Sequence, residues 1–409
     1  TIVNTLSDNL IVNFHKLWLN LPGWFKQRNL PTVKFQLYRT TDELSEDTVG
    51  EAVLNGGVPW IESLVDGDSD VTFTGAPMYN QYGKLYHYFV RELTDSETLF
   101  DVPWYITVNV PTSTTVTNTY NAEAPSVTVQ INKVWNFPDG TITEGEEHYP
   151  ESTFELHRYW INAEHTDVND VLLNTVKLPS GTLANLVGGV TPSALVTADS
   201  SGKPLLRYAP DGQEYLYYVV EKPLTGYTVA PSNRQDVLDW DAEHTQGAVT
   251  YTNTYTPDFK PNPLTATKRW NDDSNLYLTR PDFVASDMPI SFTLMRKTSA
   301  STSEAVPESL IDSVTWTQGI GAASNDWYCG FVGTFPTYST LGATYTYYVE
   351  ETLDANYTKS YTLTAGAGTL TITNSLTRVN ALLNTSWRTY EGVMLTPGAL
   401  THLKNLGAM

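Results

Sequence analysis

Most of the chain alternates apolar and polar side chains over short runs bounded by Gly, Pro, Asn and Asp, the period-two pattern of half-buried strands. Three of these runs share one irregularity. They are Val12–Phe14–Lys16–Trp18, Val127–Val129–Ile131–Lys133–Trp135 and Leu264–Ala266–Lys268–Trp270. Side chains two apart on a strand share a face, so each lysine points where its Trp and aliphatic neighbours point. A buried ammonium is costly and escapes by shedding its proton. The neutral amine left behind is a nucleophile. A sustained helical period is absent ahead of the last thirty residues, and the many Tyr, Trp, Val and Thr favour strands.

Aligning the lysine runs exposes a long-period repeat. Each is followed by F-x-L-x-R: Phe35–Leu37–Arg39, Phe154–Leu156–Arg158 and Phe292–Leu294–Arg296, with Pro31, Pro150 and Pro289 just ahead. Farther on comes G-x-x-Y-x-Y-x-V-x-E, running from Gly83 to Glu92, from Gly212 to Glu221 and from Gly342 to Glu351. The glycine suits a turn before a strand. Each unit closes on T-x-x-N-[TS] at Asn118, Asn253 and Asn374, which lie 102, 120 and 106 positions after their lysines. That spacing fits one β-sandwich per unit. Pro-bearing connectors at 121–125 and 256–263 predict stiff joints and a rod-like array.

The boundaries expected are 11–122, 126–256 and 264–376 for the three units. Residues 1–10 read as the closing strand of a preceding repeat, with Asn4 in the asparagine place. Asn4 has no lysine of its own here, so the expectation is that the array extends beyond residue 1. Residues 377–409 read as a tail or the degenerate start of a further repeat, with Trp387 present but Thr385 where the lysine should stand.

The glutamates and asparagines lie in line with apolar side chains, as the lysines do. Each sandwich therefore brings Lys, Glu and Asn onto apolar faces. One reading is a buried ion pair with an Asn satisfying leftover hydrogen bonds, an expensive device often replaceable by apolar residues. The other is covalent. The desolvated amine attacks the carboxamide, a glutamic acid of raised pKa shuttles the proton, and ammonia leaves.

With its K-x-W strand, Y-x-V-x-E strand and closing T-N-T strand, the chain resembles the CnaB-type (collagen-adhesin B-repeat-like) domains of Gram-positive surface proteins and pilins. The resemblance covers residues 11–376 and all three triads. It implies an all-β fold of tandem immunoglobulin-like or transthyretin-like sandwiches on the bacterial cell surface. It also implies crosslinks Lys16–Asn118, Lys133–Asn253 and Lys268–Asn374, assisted by Glu92, Glu221 and Glu351. The function implied is a structural stalk or fibre segment without enzymatic turnover or cofactor, its partners being neighbouring repeats or subunits.

Two alternatives stand beside it: a pilin backbone, and an adhesin module for host or matrix proteins. Pilins of this kind carry an LPxTG-like sorting signal and a YPK-like lysine, and the nearest strings are MLTPGA at 394–399 and HYPEST at 148–153. For an adhesin, the segments 160–205 and 298–330 are the insertions in which a binding surface could lie.

Composition narrows the partners. Asp+Glu 45 against Lys+Arg 24, a formal net charge of -21, disfavours nucleic acid and anionic lipid. No run of about 18 apolar residues is present to span a membrane. Cys329 is the only cysteine, which excludes intrachain disulfides and makes another crosslink useful. In DWYCGF it reads as a small core hydrophobe rather than a thioester nucleophile. Asp66, Asp68 and Asp70 lack the Gly and Glu of a calcium loop, and the seven histidines show no paired ligand spacing, so no metal is expected.

Overall fold

A computed structural model describes residues 9–64, 69–123, 125–138, 148–184, 192–232, 234–272, 275, 280–299, 301–321, 324–352, 357–363 and 370–376. Asn4, Asp66, Asp68 and the tail 377–409 lie outside these residues.

The lysine runs become the opening strands Asn9–Leu19, Ser126–Asn136 and Leu264–Asn271. Each pairs in parallel with the closing strand of its own unit: Thr115–Tyr120, Gln246–Tyr255 or Leu370–Leu376. The register repeats without a slip. Lys16 faces Val116 and Trp18 faces Asn118; Lys133 faces Tyr251 and Trp135 faces Asn253; Lys268 faces Ile372 and Trp270 faces Asn374. Antiparallel strands flank this central pair on both sides.

A second sheet in each unit is built on the other two repeated frames. F-x-L-x-R and Y-x-V-x-E pair antiparallel, residue for residue. Phe35 is opposite Glu92, Phe154 opposite Glu221 and Phe292 opposite Glu351. Leu37, Leu156 and Leu294 stand opposite Val90, Val219 and Val349. Their inward faces form the core, where Leu37, Leu156 and Val219 are fully buried. Each such side chain contributes about 1.5–3 kcal/mol of burial.

The turn before the glutamate strand needs its glycine. Gly83, Gly212 and Gly342 sit at φ 79, 84 and 78, a left-handed conformation that other L-residues rarely adopt.

The segments 160–205 and 298–330, read from sequence as insertions, contain long paired strands. Val168–Leu178 pairs along the whole of Ser152–Ile161, and Ile311–Gln318 pairs with Asp326–Gly333. Exposed positions interrupt the burial alternation in both, Val168 and Leu172 among them in the first and Asp312 to Thr315 in the second.

Candidate functional site

The opening strand supplies the lysine, the closing strand beside it the asparagine, and the opposite sheet the glutamate. In all three units these side chains meet in the interior. Lys16, Lys133 and Lys268 are fully buried, and Asn118, Asn253 and Asn374 are no more than 1% exposed. Glu92, Glu221 and Glu351 are buried with them.

Glutamate is the bridge in each triad. Lys16 Nζ donates to Glu92 Oε2 at 3.2 Å, and Asn118 Nδ2 donates to Glu92 Oε1 at 2.9 Å. In the second unit the corresponding distances to Glu221 are 2.8 and 2.9 Å. In the third, those to Glu351 are 3.0 and 3.2 Å. The asparagine carbonyl oxygens are buried without a hydrogen-bond partner in all three. An orphaned buried acceptor costs about 1–3 kcal/mol, and here it recurs in all three units.

Burial sets the protonation balance. Desolvation pushes the Lys133 amine down to about 8, against the opposing pull of Glu221, and does the same to Lys268 against Glu351. Desolvation likewise raises the Glu92 and Glu221 carboxyls, although their lysines pull the other way. In the second unit, where both partners shift, the balance moves toward amine plus carboxylic acid and away from the ion pair. These two states carry the same number of protons, so one internal transfer interconverts them.

The sequence reading placed several supporting residues in its motifs without giving them a role, and did not single out Lys359. The Trp two residues after each lysine lays its ring against the amine, with Nζ 4.5, 4.8 and 4.4 Å from the Trp18, Trp135 and Trp270 centroids. The K-x-W spacing was the available signal. The arginine of F-x-L-x-R stacks on the first tyrosine of the glutamate frame, Arg39 on Tyr86, Arg158 on Tyr215 and Arg296 on Tyr345. The second tyrosine donates its hydroxyl to the carbonyl eleven residues earlier: Tyr88 to Pro77, Tyr217 to Leu206 and Tyr347 to Pro336. The third site alone adds Lys359, whose Nζ donates to the Glu351 backbone carbonyl at 2.9 Å.

Cys329 is buried in the third unit's core among Ala266, Leu294 and Phe331. Among the described residues no group of three or more His, Cys, Asp and Glu could hold a metal, and no helix is long and apolar enough to cross a membrane.

Comparison with known proteins places a family on one unit. Residues 264–375 match the family described as Cna protein B-type domain. Two B repeat units of the collagen-binding protein of Staphylococcus aureus align at 18% identity, covering 90% of this chain and 75% of that one, with a TM-score of 0.27. The major pilin of Streptococcus pyogenes aligns at 11% identity over 61% of this chain and 99% of its own, TM-score 0.26. The shaft pilin SpaA of Lactobacillus rhamnosus GG aligns at 12% over 62% and 99%, TM-score 0.23. No curated protein matches the chain. By the family match, the third unit resembles a Cna protein B-type domain.

Proposed function

We propose that each unit closes one Lys–Asn isopeptide bond and that the chain is a structural segment of a stalk or pilus on a Gram-positive cell surface. The reaction runs once per unit. The carboxamide turns to present Oδ1 to the glutamate, the neutral lysine Nζ adds to the asparagine Cγ, and the protonated glutamate lends Oδ1 a proton that it takes back as the carbonyl re-forms. A proton from the attacking amine passes through the glutamate to Nδ2, the Cγ–Nδ2 bond breaks and ammonia leaves. No co-reactant is needed, and there is no turnover.

The observation that carries this reading is the threefold recurrence of one buried Lys–Glu–Asn constellation in one register, each time with the carbonyl unpartnered. A purely structural ion pair is replaceable by apolar residues and has no need of an asparagine at a fixed place. The Cna protein B-type match over residues 264–375 supports the same reading.

A stalk gains from such a bond. Tying the first strand to the last removes unfolded-state entropy worth about 4.7 kcal/mol for a loop of about 100 residues, by analogy with a disulfide. An amide also resists reductants. Pull applied at the ends of a unit enters through the two tied strands and spares the rest of the sheet.

Intact mass under denaturing conditions tests the proposal. A chain lighter than its sequence by three ammonias is expected, and the unmodified mass refutes it.

A further inference from the structure

Each glutamate must hold its carboxyl against two partners at once, yet its strand is supported unevenly. Among the described residues, His87–Thr94 and Thr346–Glu351 each pair with only one other strand, the one bearing F-x-L-x-R. In the second unit Leu216–Glu221 has Gln235–Asp236 on its other side as well. An edge strand is held on one side alone and presents unpaired N–H and C=O groups on the other.

In all three units a side chain from the opposite sheet, the one that carries lysine and asparagine, reaches across to those groups. Asn109 lies just past the edge strand Tyr105–Val108, and its neighbours fix how its amide points. Its Nδ2 donates to the Val90 carbonyl at 3.0 Å, and its Oδ1 accepts from the Glu92 N–H at 2.9 Å. In the second unit Tyr251, on the closing strand, donates its hydroxyl to the Val219 carbonyl at 2.6 Å. In the third, Lys359 Nζ donates to the Glu351 carbonyl at 2.9 Å. Every one of these bonds falls on the Val or the Glu of the V-x-E frame.

The residue types differ because the neighbouring positions differ. Lys359 stands directly opposite Asn374 on the edge strand. The places opposite Asn118 and Asn253 hold Thr107 and Val229, neither of them a long donor. Placement matters here: each carboxyl lies 2.8–3.2 Å from both lysine and asparagine. A displacement of about 1 Å can cost roughly 10²-fold in rate.

We propose that Asn109, Tyr251 and Lys359 are positioning residues for bond closure, each fixing the glutamate backbone so that the carboxyl reaches lysine and asparagine together. This inference rests on the crosslinking proposed above. Closure is thereby set unit by unit, through three different side chains.

The test follows the full chain in a pulse-chase. Samples are denatured at intervals, and peptide mass spectrometry reads the ammonia lost from each unit; protease resistance, timed in parallel, reports folding. Asn109→Leu, Tyr251→Phe and Lys359→Met should each slow closure at least about tenfold in its own unit, with the other units and folding undelayed. Lys359→Arg, which keeps a cationic donor, should restore most of the rate that Lys359→Met loses. Variants that close at the wild-type rate, a lag matched by an equal lag in folding, or no recovery with arginine overturns the proposal. Should Asn109→Leu or Tyr251→Phe fail to fold, the two Lys359 variants decide, since that position is exposed. A wild-type chain that loses no ammonia sinks the crosslink reading itself, whereas wild-type closure with unslowed variants sinks only this inference.

Discussion

Asn118 stands one same-face step beyond Val116, the residue directly opposite Lys16 on the parallel strand pair. Lysine and asparagine are therefore diagonal neighbours on one sheet face, within reach of a long side chain, with Glu92 closing over them from the other sheet. Lys133 and Asn253, and Lys268 and Asn374, hold the same relationship.

Removing one glutamate should silence one bond only. Glu92→Gln keeps size and hydrogen bonding but cannot shuttle a proton. The denatured variant is expected to weigh one ammonia more than wild type, allowing for the substitution. Its first unit should melt roughly 20 °C lower, from about 4.7 kcal/mol of lost loop constraint. Differential scanning calorimetry would show whether the other transitions stay in place.

A double substitution separates the covalent reading from a structural ion pair. If Lys133 and Glu221 only form a buried pair, Lys133→Met/Glu221→Leu should be neutral or stabilising. The crosslink instead predicts a net loss on the order of 4 kcal/mol in the second unit. Denaturant unfolding of the two chains gives the difference directly.

Uncrosslinked units should carry a pH signature that crosslinked ones lack. In an Asn253→Ala chain the Lys133 amine remains free, with its folded pKa near 8. Between that value and the ordinary lysine pKa the unfolded chain holds a proton that the folded chain does not. Stability of the second unit should therefore rise with pH across about 8 to 10. Glu221, raised on folding, works oppositely: its contribution is present at low pH and lost as pH rises through its folded pKa. If the proposed bond forms, the wild-type amine is an amide and the alkaline rise of that unit should vanish. An equal slope in both chains would count against the bond.

The Cys329 thiol should be inert while the third unit is folded. It is 1% exposed, and burial pushes its pKa up to about 12. A maleimide reagent should label it only in denaturant, and rapid labelling of the native chain would contradict this packing.

The repeat was legible because each frame keeps its spacing, and because alternation on a strand assigns faces without any knowledge of partners. Val90 and Glu92, or Lys133 and Trp135, declare a shared face from their numbers alone. Contacts between units were not legible in the same way. Tyr120 and Tyr208 are 88 residues apart, and nothing local to either says that one hydroxyl meets the other's carbonyl. Nor could spacing reveal that 311–318 and 326–333 pair as strands, since the first of them is exposed along most of its length.

By itself, then, the sequence determined the all-β character, the repeat and the misplaced polar side chains, because the period of two and the turn glycines are local properties of the backbone. Only the tertiary structure decided that F-x-L-x-R lies against Y-x-V-x-E with Phe35 opposite Glu92, and that the opening and closing strands run parallel as neighbours. Those pairings join residues tens to a hundred positions apart. They are selected by which faces bury together at sheet-packing distance, a competition among whole strands that no local pattern records.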